Sequence, residues 1–171
     1  MPKRRLLEFM ALIKRYVKVS KIQRLIIRIS KRWIVRFNFE GGYFEELKCT
    51  FCTLDPARII ATNKHAIAVF DGFPISPGHT LIIPKRHIAT LFETTTEELI
   101  ALFNILSHAR KHLVQKQNPG GFNIGVNDGV AAGQTVMHLH IHLIPRYAGD
   151  MPDPRGGIRW IFPDKAEYWE K

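Results

Sequence analysis

Between Met137 and Leu143, apolar residues alternate one for one with His138, His140 and His142. This period of two predicts an extended strand with the three imidazoles on one face and Met137, Leu139, Ile141 and Leu143 on the other. On a helix the same histidines would diverge around the circumference. Upstream, Phe122 to Asn127 reads as a strand, and the loop from Asp128 to Gly133 returns it as a hairpin whose glycines let backbone N–H groups approach an anion closely. Arg58 to Thr62 and His65 to Phe70 read as two strands joined by the turn Asn63-Lys64. The turn-rich stretch Asp71 to Gly78 leads into another strand, His79 to Pro84. Thr94-Thr95-Thr96-Glu97-Glu98 carries the hydroxyls and early acids of a helix start, and Leu99, Leu102, Phe103, Leu106 and Leu113 keep a helical period to Gln117. Asn118-Pro119-Gly120-Gly121 stops that helix. The tail from Asp150 is rich in Pro and Gly, with one more short strand predicted at Ile158 to Phe162.

Ahead of all this, residues 3–37 interleave Lys and Arg with large aliphatics. Lys14, Lys18, Lys21, Arg24, Arg28, Arg32 and Arg36 recur at steps of three or four, predicting a basic helix, with Ile13, Tyr16, Ile27 and Ile34 elsewhere on its circumference and Leu25 and Ile29 on the basic side. Such a helix suits a membrane surface or nucleic acid. The plain alternatives are a packing appendage or sequence translated upstream of the true start. Gly41-Gly42 marks a boundary, giving an extension over 1–42 and a catalytic domain over 43–171.

The chain has 171 residues and 46% hydrophobic content, enough for one ordinary core. Its net charge is +10, and residues 1–40 account for all of it, with 12 Lys and Arg against Glu8 and Glu40. The remainder balances 13 against 13, so any polyanion affinity belongs to the extension. With two cysteines and no secretory cleavage pattern, a reducing cytoplasm is the expected compartment. No uncharged apolar run reaches the length of a membrane-spanning helix, and no internal repeat occurs.

Three imidazoles on one strand face can ligate a metal, attack phosphorus, or pack as core. Cys49-Thr50-Phe51-Cys52 has a spacing that lets both thiolates reach one zinc ion, which needs two further ligands. A redox pair is the rival, disfavoured by the turn signal Asp55-Pro56, and two unligated thiols are the plain reading. Lys85 and Arg86 can draw a polyphosphate inward or stand as solvated strand-end charges. His108 and His112, four apart on the predicted helix, read as an exposed face.

The run from His138 to Ile144, with Asn127-Asp128-Gly129 and Gly133-Gln134-Thr135 before it, resembles the signature of the histidine triad family of nucleotide hydrolases and transferases. The resemblance covers Lys48 to about Pro163. It implies an α+β domain with a largely antiparallel sheet and one main helix, paired as a homodimer. It implies His140 as a nucleophile that forms a nucleotidyl-histidine, and His142 as donor to the α-phosphate or leaving group. Asn127, Gln134 and Thr135 would be neutral donors to phosphate oxygens, Gln134 on the leaving-group side. Asp71 would accept the ribose hydroxyls, its alternative being a turn-capping aspartate. His79 matches the family's loop histidine, its plain reading a satisfied imidazole. A structural zinc would sit on Cys49, Cys52, His87 and His138, which removes His138 from the chemistry, and no organic cofactor is implied. The Gly133-Gln134-Thr135 run and the Arg155-Gly156-Gly157 tail favour a dinucleoside polyphosphate of the diadenosine tetraphosphate kind, cleaved at the α-phosphate to release a nucleoside monophosphate. A phosphoramidate hydrolase and a phosphorylase are alternatives within the class. From another class, the alternative is a zinc-stabilised nucleotide-binding module without turnover. Trp160 can stack on a base, or seal a dimer or the core.

Overall fold

The computed structural model describes residues 24–30, 33–38, 43–47 and 49–170. The chain divides into two compact units, Met1–Cys49 and Thr50–Lys171. In the first, β1 (Arg24–Ser30), β2 (Trp33–Asn38) and β3 (Tyr43–Leu47) form an antiparallel sheet in the order β1-β2-β3. Ile27 pairs with Val35, which in turn pairs with Glu46. The helix expected over residues 3–37 is therefore corrected over β1 and β2. The Ile and Val run from 26 to 35 loses χ1 freedom in a helix and fits a pleated strand, and that preference outweighs the spacing of the cations. Residues 3–23, 31 and 32 lie outside the described residues. The boundary also moves, since β3 belongs with the first unit and not with the catalytic domain expected from residue 43.

The second unit holds a five-stranded antiparallel sheet with one long helix. Its strands are β4 (Ile59–Thr62), β5 (Ala66–Phe70), β6 (Thr80–Pro84), β7 (Gly121–Gly125) and β8 (Ile141–Arg146), in the order β4-β5-β6-β8-β7. The helix, α1 (Thr96–Gln117), covers one face. Leu102, Ile105, Leu106, Ala109 and Leu113 pack there against Ala66, Ala68, Ile82, Ile141 and Leu143. Leu99 and Phe103, read with the inward stripe, face outward at 36% and 55% exposure. On the opposite sheet face Ile67, Val69, Leu81 and Ile83 form a smaller core under Phe51, Leu54 and Ile59. β6, covered on both faces, is buried throughout and reads as an unbroken apolar run.

The start of α1 follows its sequence signal. Thr95 accepts from the Glu98 N–H while the Glu98 carboxylate accepts from the Thr95 N–H, a closed capping box. Asn118, left-handed at φ 48°, ends it. The loop before β6 is pinned to this end of the helix: Gly78 has φ 80°, and a Cβ there would come within 2.8 Å of Leu113 Cδ2. Ser76 Oγ donates to the Pro145 carbonyl at 2.6 Å, tying the same loop to β8. In the tail, Gly157–Ile161 is a 3-10 turn and not the short strand expected at Ile158 to Phe162, as two glycines with positive φ open it.

Candidate active site

β8 begins at Ile141, so His138 and His140 stand ahead of the strand, a correction to the longer strand read from the alternation. The His138 N–H bonds to the Val136 carbonyl in a tight turn, and the Leu139 N–H reaches across to the Ile88 carbonyl at 2.7 Å. With Leu139 fully buried on the helix side, the imidazoles are thrown to the other side. The His140 and His142 rings lie 5.0 Å apart, and Phe51 meets both His138 and His140 edge-on at 5.9 and 5.2 Å. The rings thus gather as expected, without a ladder beneath the first two.

His140 is 6% exposed, and its Nδ1 lies 2.8 Å from the His138 carbonyl. A carbonyl only accepts, so the His140 proton sits on Nδ1 and the Nε2 lone pair is left for an electrophile. His142 Nδ1 lies 3.0 Å from Nε2 of His79, which is 4% exposed, with Asp71 Oδ2 3.4 Å beyond at His79 Nδ1. His142 Nε2 is buried without a hydrogen-bond partner. An atom so placed is costly unless something bound satisfies it. Burial, then the neighbouring His140 and His79, push His142 down to about 4, so it is neutral at pH 7. Burial lowers His79 too, against the pull of Asp71. Sequence reading named His79 only as a loop histidine. Its partnership with His142 joins residues 63 apart, and no local pattern encodes it.

A cavity of about 440 Å³ opens onto His140 and His142, with Asp71, Arg58 and Thr135 on its lining and Phe51 and Phe73 as aromatic walls. Asp71 Oδ1 caps its own turn by accepting from the Phe73 N–H at 2.9 Å, so the turn-capping role is real and coexists with a place on the cavity. Gln134 departs from expectation. Its Nε2 donates to the Ala89 carbonyl and its Oε1 accepts from the Gly129 N–H, each at 2.8 Å, so both ends of the amide brace the glycine loop in place of leaving-group oxygens. Asn127 stands exposed two residues past β7. Arg86 is bound to Glu98 at 2.6 and 2.7 Å and Lys85 to the Asn63 carbonyl, so neither stands ready for a polyphosphate.

Cys49, Cys52, His87 and His138 offer ligand atoms all within 4.8 Å of one another. The donor set fits zinc. His138 Nε2 donates to the Pro84 carbonyl at 2.8 Å, which leaves the Nδ1 lone pair directed at Cys52 Sγ, 3.6 Å away. His87 Nδ1 stands 3.2 Å from the same sulfur. Two sulfurs and two neutral imidazole nitrogens match the composition of structural sites, with the second ring nitrogen of His138 fixed by a carbonyl. Burial pushes His138 down to about 4, keeping it in the neutral form that a ligand needs.

The family model described as HIT domain matches residues 53–149, more than half of the chain. A bis(5'-nucleosyl)-tetraphosphatase (asymmetrical) of Schizosaccharomyces pombe is 41% identical over 97 residues, which are 57% of this chain and 53% of that protein. An AP-4-A phosphorylase of Mycobacterium tuberculosis is 34% identical over 93 residues, 54% of this chain and 48% of that one. The chain thus spans about half the length of these two relatives. Among solved structures, a Zn-bound histidine triad family protein from Mycobacterium smegmatis superposes with a TM-score of 0.55 at 34% identity, over 61% of this chain and 84% of its own. With that match lying over the hairpin, the helix and the histidine cluster, the chain belongs to the HIT domain family.

Proposed function

We propose that the chain is a nucleotidyl hydrolase acting on dinucleoside polyphosphates, and the observation that carries this is the His140 tautomer. With its proton held on Nδ1 by the His138 carbonyl, Nε2 is the free nucleophile beside a cavity large enough for a nucleoside phosphate. Nε2 attacks the α-phosphorus and the bond to the polyphosphate oxygen breaks, leaving a nucleotidyl-histidine. The unpartnered Nε2 of His142 is the group at hand to bond the α-phosphate or the departing oxygen. Water then attacks the intermediate, releases nucleoside monophosphate and restores neutral His140. Asp71 and Thr135 on the cavity lining suit the sugar and phosphate oxygens. The relatives named for tetraphosphate cleavage and phosphorolysis support this substrate class. Phosphate in place of water on the same intermediate would make the enzyme a phosphorylase, yielding a nucleoside diphosphate.

Cys49, Cys52, His87 and His138 would hold a zinc ion whose contribution is to the fold. The test is incubation with diadenosine tetraphosphate. Wild type is expected to release AMP through a trappable phosphorus–nitrogen bond, and His140→Ala to lose about a thousand-fold or more in kcat. Equal rates for the two would end the reading.

A further inference from the structure

Beyond His142, β8 continues along the catalytic face with Ile144 and Arg146, half-buried and alternating with buried Ile141, Leu143 and Pro145. Asn123 on β7 stands directly opposite Ile144 and Gly125 opposite His142, so these positions share one face. On this floor lies a second cavity, of about 340 Å³, walled by Pro77 on one side and by Met151, Gly157 and Trp160 of the tail on the other. His142 lines the first cavity, and Ile144 and Arg146, the next two residues on the same face of β8, line the second. At ~3.3 Å per residue, Ile144 lies ~7 Å and Arg146 ~13 Å beyond it along the strand.

The second cavity contains a cation, yet it is not built for phosphate. Arg146 gives Nε and Nη2 to the Asp150 carboxylate, each at 2.8 Å, and Nη1 to Asn123 Oδ1 at 2.6 Å. Its charge is paired at contact distance, and those bonds engage Nε and one N–H on each terminal nitrogen, three of its five donors. The same bonds fix the Asn123 amide. Because the guanidinium must donate, Oδ1 faces Arg146 and Nδ2 is turned the other way as an oriented donor. Gly157 leaves the approach to it open, since a Cβ there would come within 3.4 Å of Nδ2. Trp160 is held by its indole N–H on the Arg155 carbonyl at 2.8 Å, and the Tyr147 hydroxyl donates to Gln117 Oε1 at 2.9 Å, so the walls are fixed in advance. A neutral, largely apolar slot with a tryptophan and one aimed amide donor matches a flat heteroaromatic ring carrying an acceptor.

We infer that this cavity receives the nucleobase of the departing half of the substrate, stacked by Trp160 and read by Asn123 Nδ2. The inference rests on the function proposed above and deepens it. The distance along β8 leaves room for linked phosphates and a sugar between the scissile phosphorus and the second base, and a leaving group without a second base gains nothing from the cavity.

The experiment compares diadenosine tetraphosphate with adenosine 5′-tetraphosphate, which has the same phosphate chain and no second base, using the full chain. For Trp160→Ala and Asn123→Asp, KM for the dinucleotide should rise about ten-fold with kcat little changed, while KM for adenosine tetraphosphate stays where it was. Calorimetric titration of both ligands into His140→Ala, with and without Trp160→Ala, gives the same comparison without turnover. The dinucleotide should bind about ten-fold tighter only when Trp160 is present. Equal losses for both substrates, or no preference for the dinucleotide in either assay, would overturn the second-base site. If no AMP is released from either substrate while the binding preference holds, the cavity assignment stands and the proposed reaction falls.

Discussion

A single carbonyl fixes which nitrogen of His140 keeps its lone pair, and a second contact does the equivalent for His142. One imidazole nitrogen of the His79–His142 pair must donate and the other accept across their 3.0 Å contact, so His79 selects the tautomer that His142 presents to the cavity. Replacing His79 with Ala frees His142 to turn and lets water in. We expect kcat to fall on the order of ten- to a hundred-fold with KM little altered, as for a positioning residue. The acid limb carries a second signature. His142 is held at about 4, below its ordinary 6.5, first by burial and then by the charges of His140 and His79. Its neutral form therefore persists to about pH 4, and protonation below that removes it. Without His79 both causes weaken, so the limb should move up toward 6.5 in a kcat profile. An unmoved limb with lowered kcat would mean that His79 acts only through packing. The residue types at this site were legible because their spacing is local: His138, His140 and His142 announce themselves within five positions. What the spacing hid was which atoms meet. Gln134 looked like a phosphate donor because it stands between Gly133 and Thr135 in a run that matches the family's approach to phosphate, yet its amide is bonded to Gly129 and to Ala89, a residue 45 positions away.

Among the elements, α1 and the β7–β8 hairpin were readable because short-range chemistry decides them. Capping residues lie three apart at the start of α1, and the hairpin strands return across one loop. The β1–β2 region was misread because Lys and Arg at steps of three or four suggest a helix, whereas sheet pairing is a nonlocal outcome that a run of Ile and Val only permits. The α1 start also carries a stability claim. Glu98, 6% exposed, closes the capping box and pairs with Arg86, whose hydrogen bonds hold its carboxyl at about 2 against an ordinary 4.5. The folded state thus binds that proton more weakly than the unfolded chain. The stabilisation is complete above about pH 4.5 and drains away as pH falls toward 2. Since Arg86 is 48% exposed and stays solvated on its own, Glu98→Ala should cost about 2 kcal/mol. In thermal melts the variant should lie about 5 °C below wild type at pH 7, with the gap closing at pH 3. A gap unchanged by acid would assign the loss to the packing of the side chain and not to its charge. The Cys49–Cys52 turn gives a parallel test. Chelation is expected to lower the melting temperature by several degrees, and Cys52→Ser to leave the purified chain without stoichiometric zinc. Purified protein melting identically with chelator and with added zinc would show that the four ligand groups hold no zinc.

At the scale of the whole chain, charge and chemistry are segregated. The first 40 residues carry the full +10, while residues 48–171 hold 13 Lys and Arg against 11 Asp and Glu along with every side chain assigned to the site. Attachment through an amphipathic helix no longer applies over Arg24–Ser30 and Trp33–Asn38, where the backbone is strand, but the cations themselves remain. Electrostatic attraction to a polyanion needs charge density and no particular secondary structure, and it falls steeply with salt. A chain starting at Lys48 keeps Cys49 and both cores of the second unit, so it should bind zinc and cleave the dinucleotide within about two-fold of the full chain. Retention on heparin or on vesicles of anionic lipid should be strong for the full chain at 50 mM salt, be lost by a few hundred millimolar, and be absent in the shortened chain at both. If the shortened chain keeps its retention, the attraction comes from the catalytic unit and the segregation of charge has no bearing on partners. If it instead loses turnover while keeping zinc, the first unit contributes to the site, and an account of catalysis from Thr50 onward is incomplete.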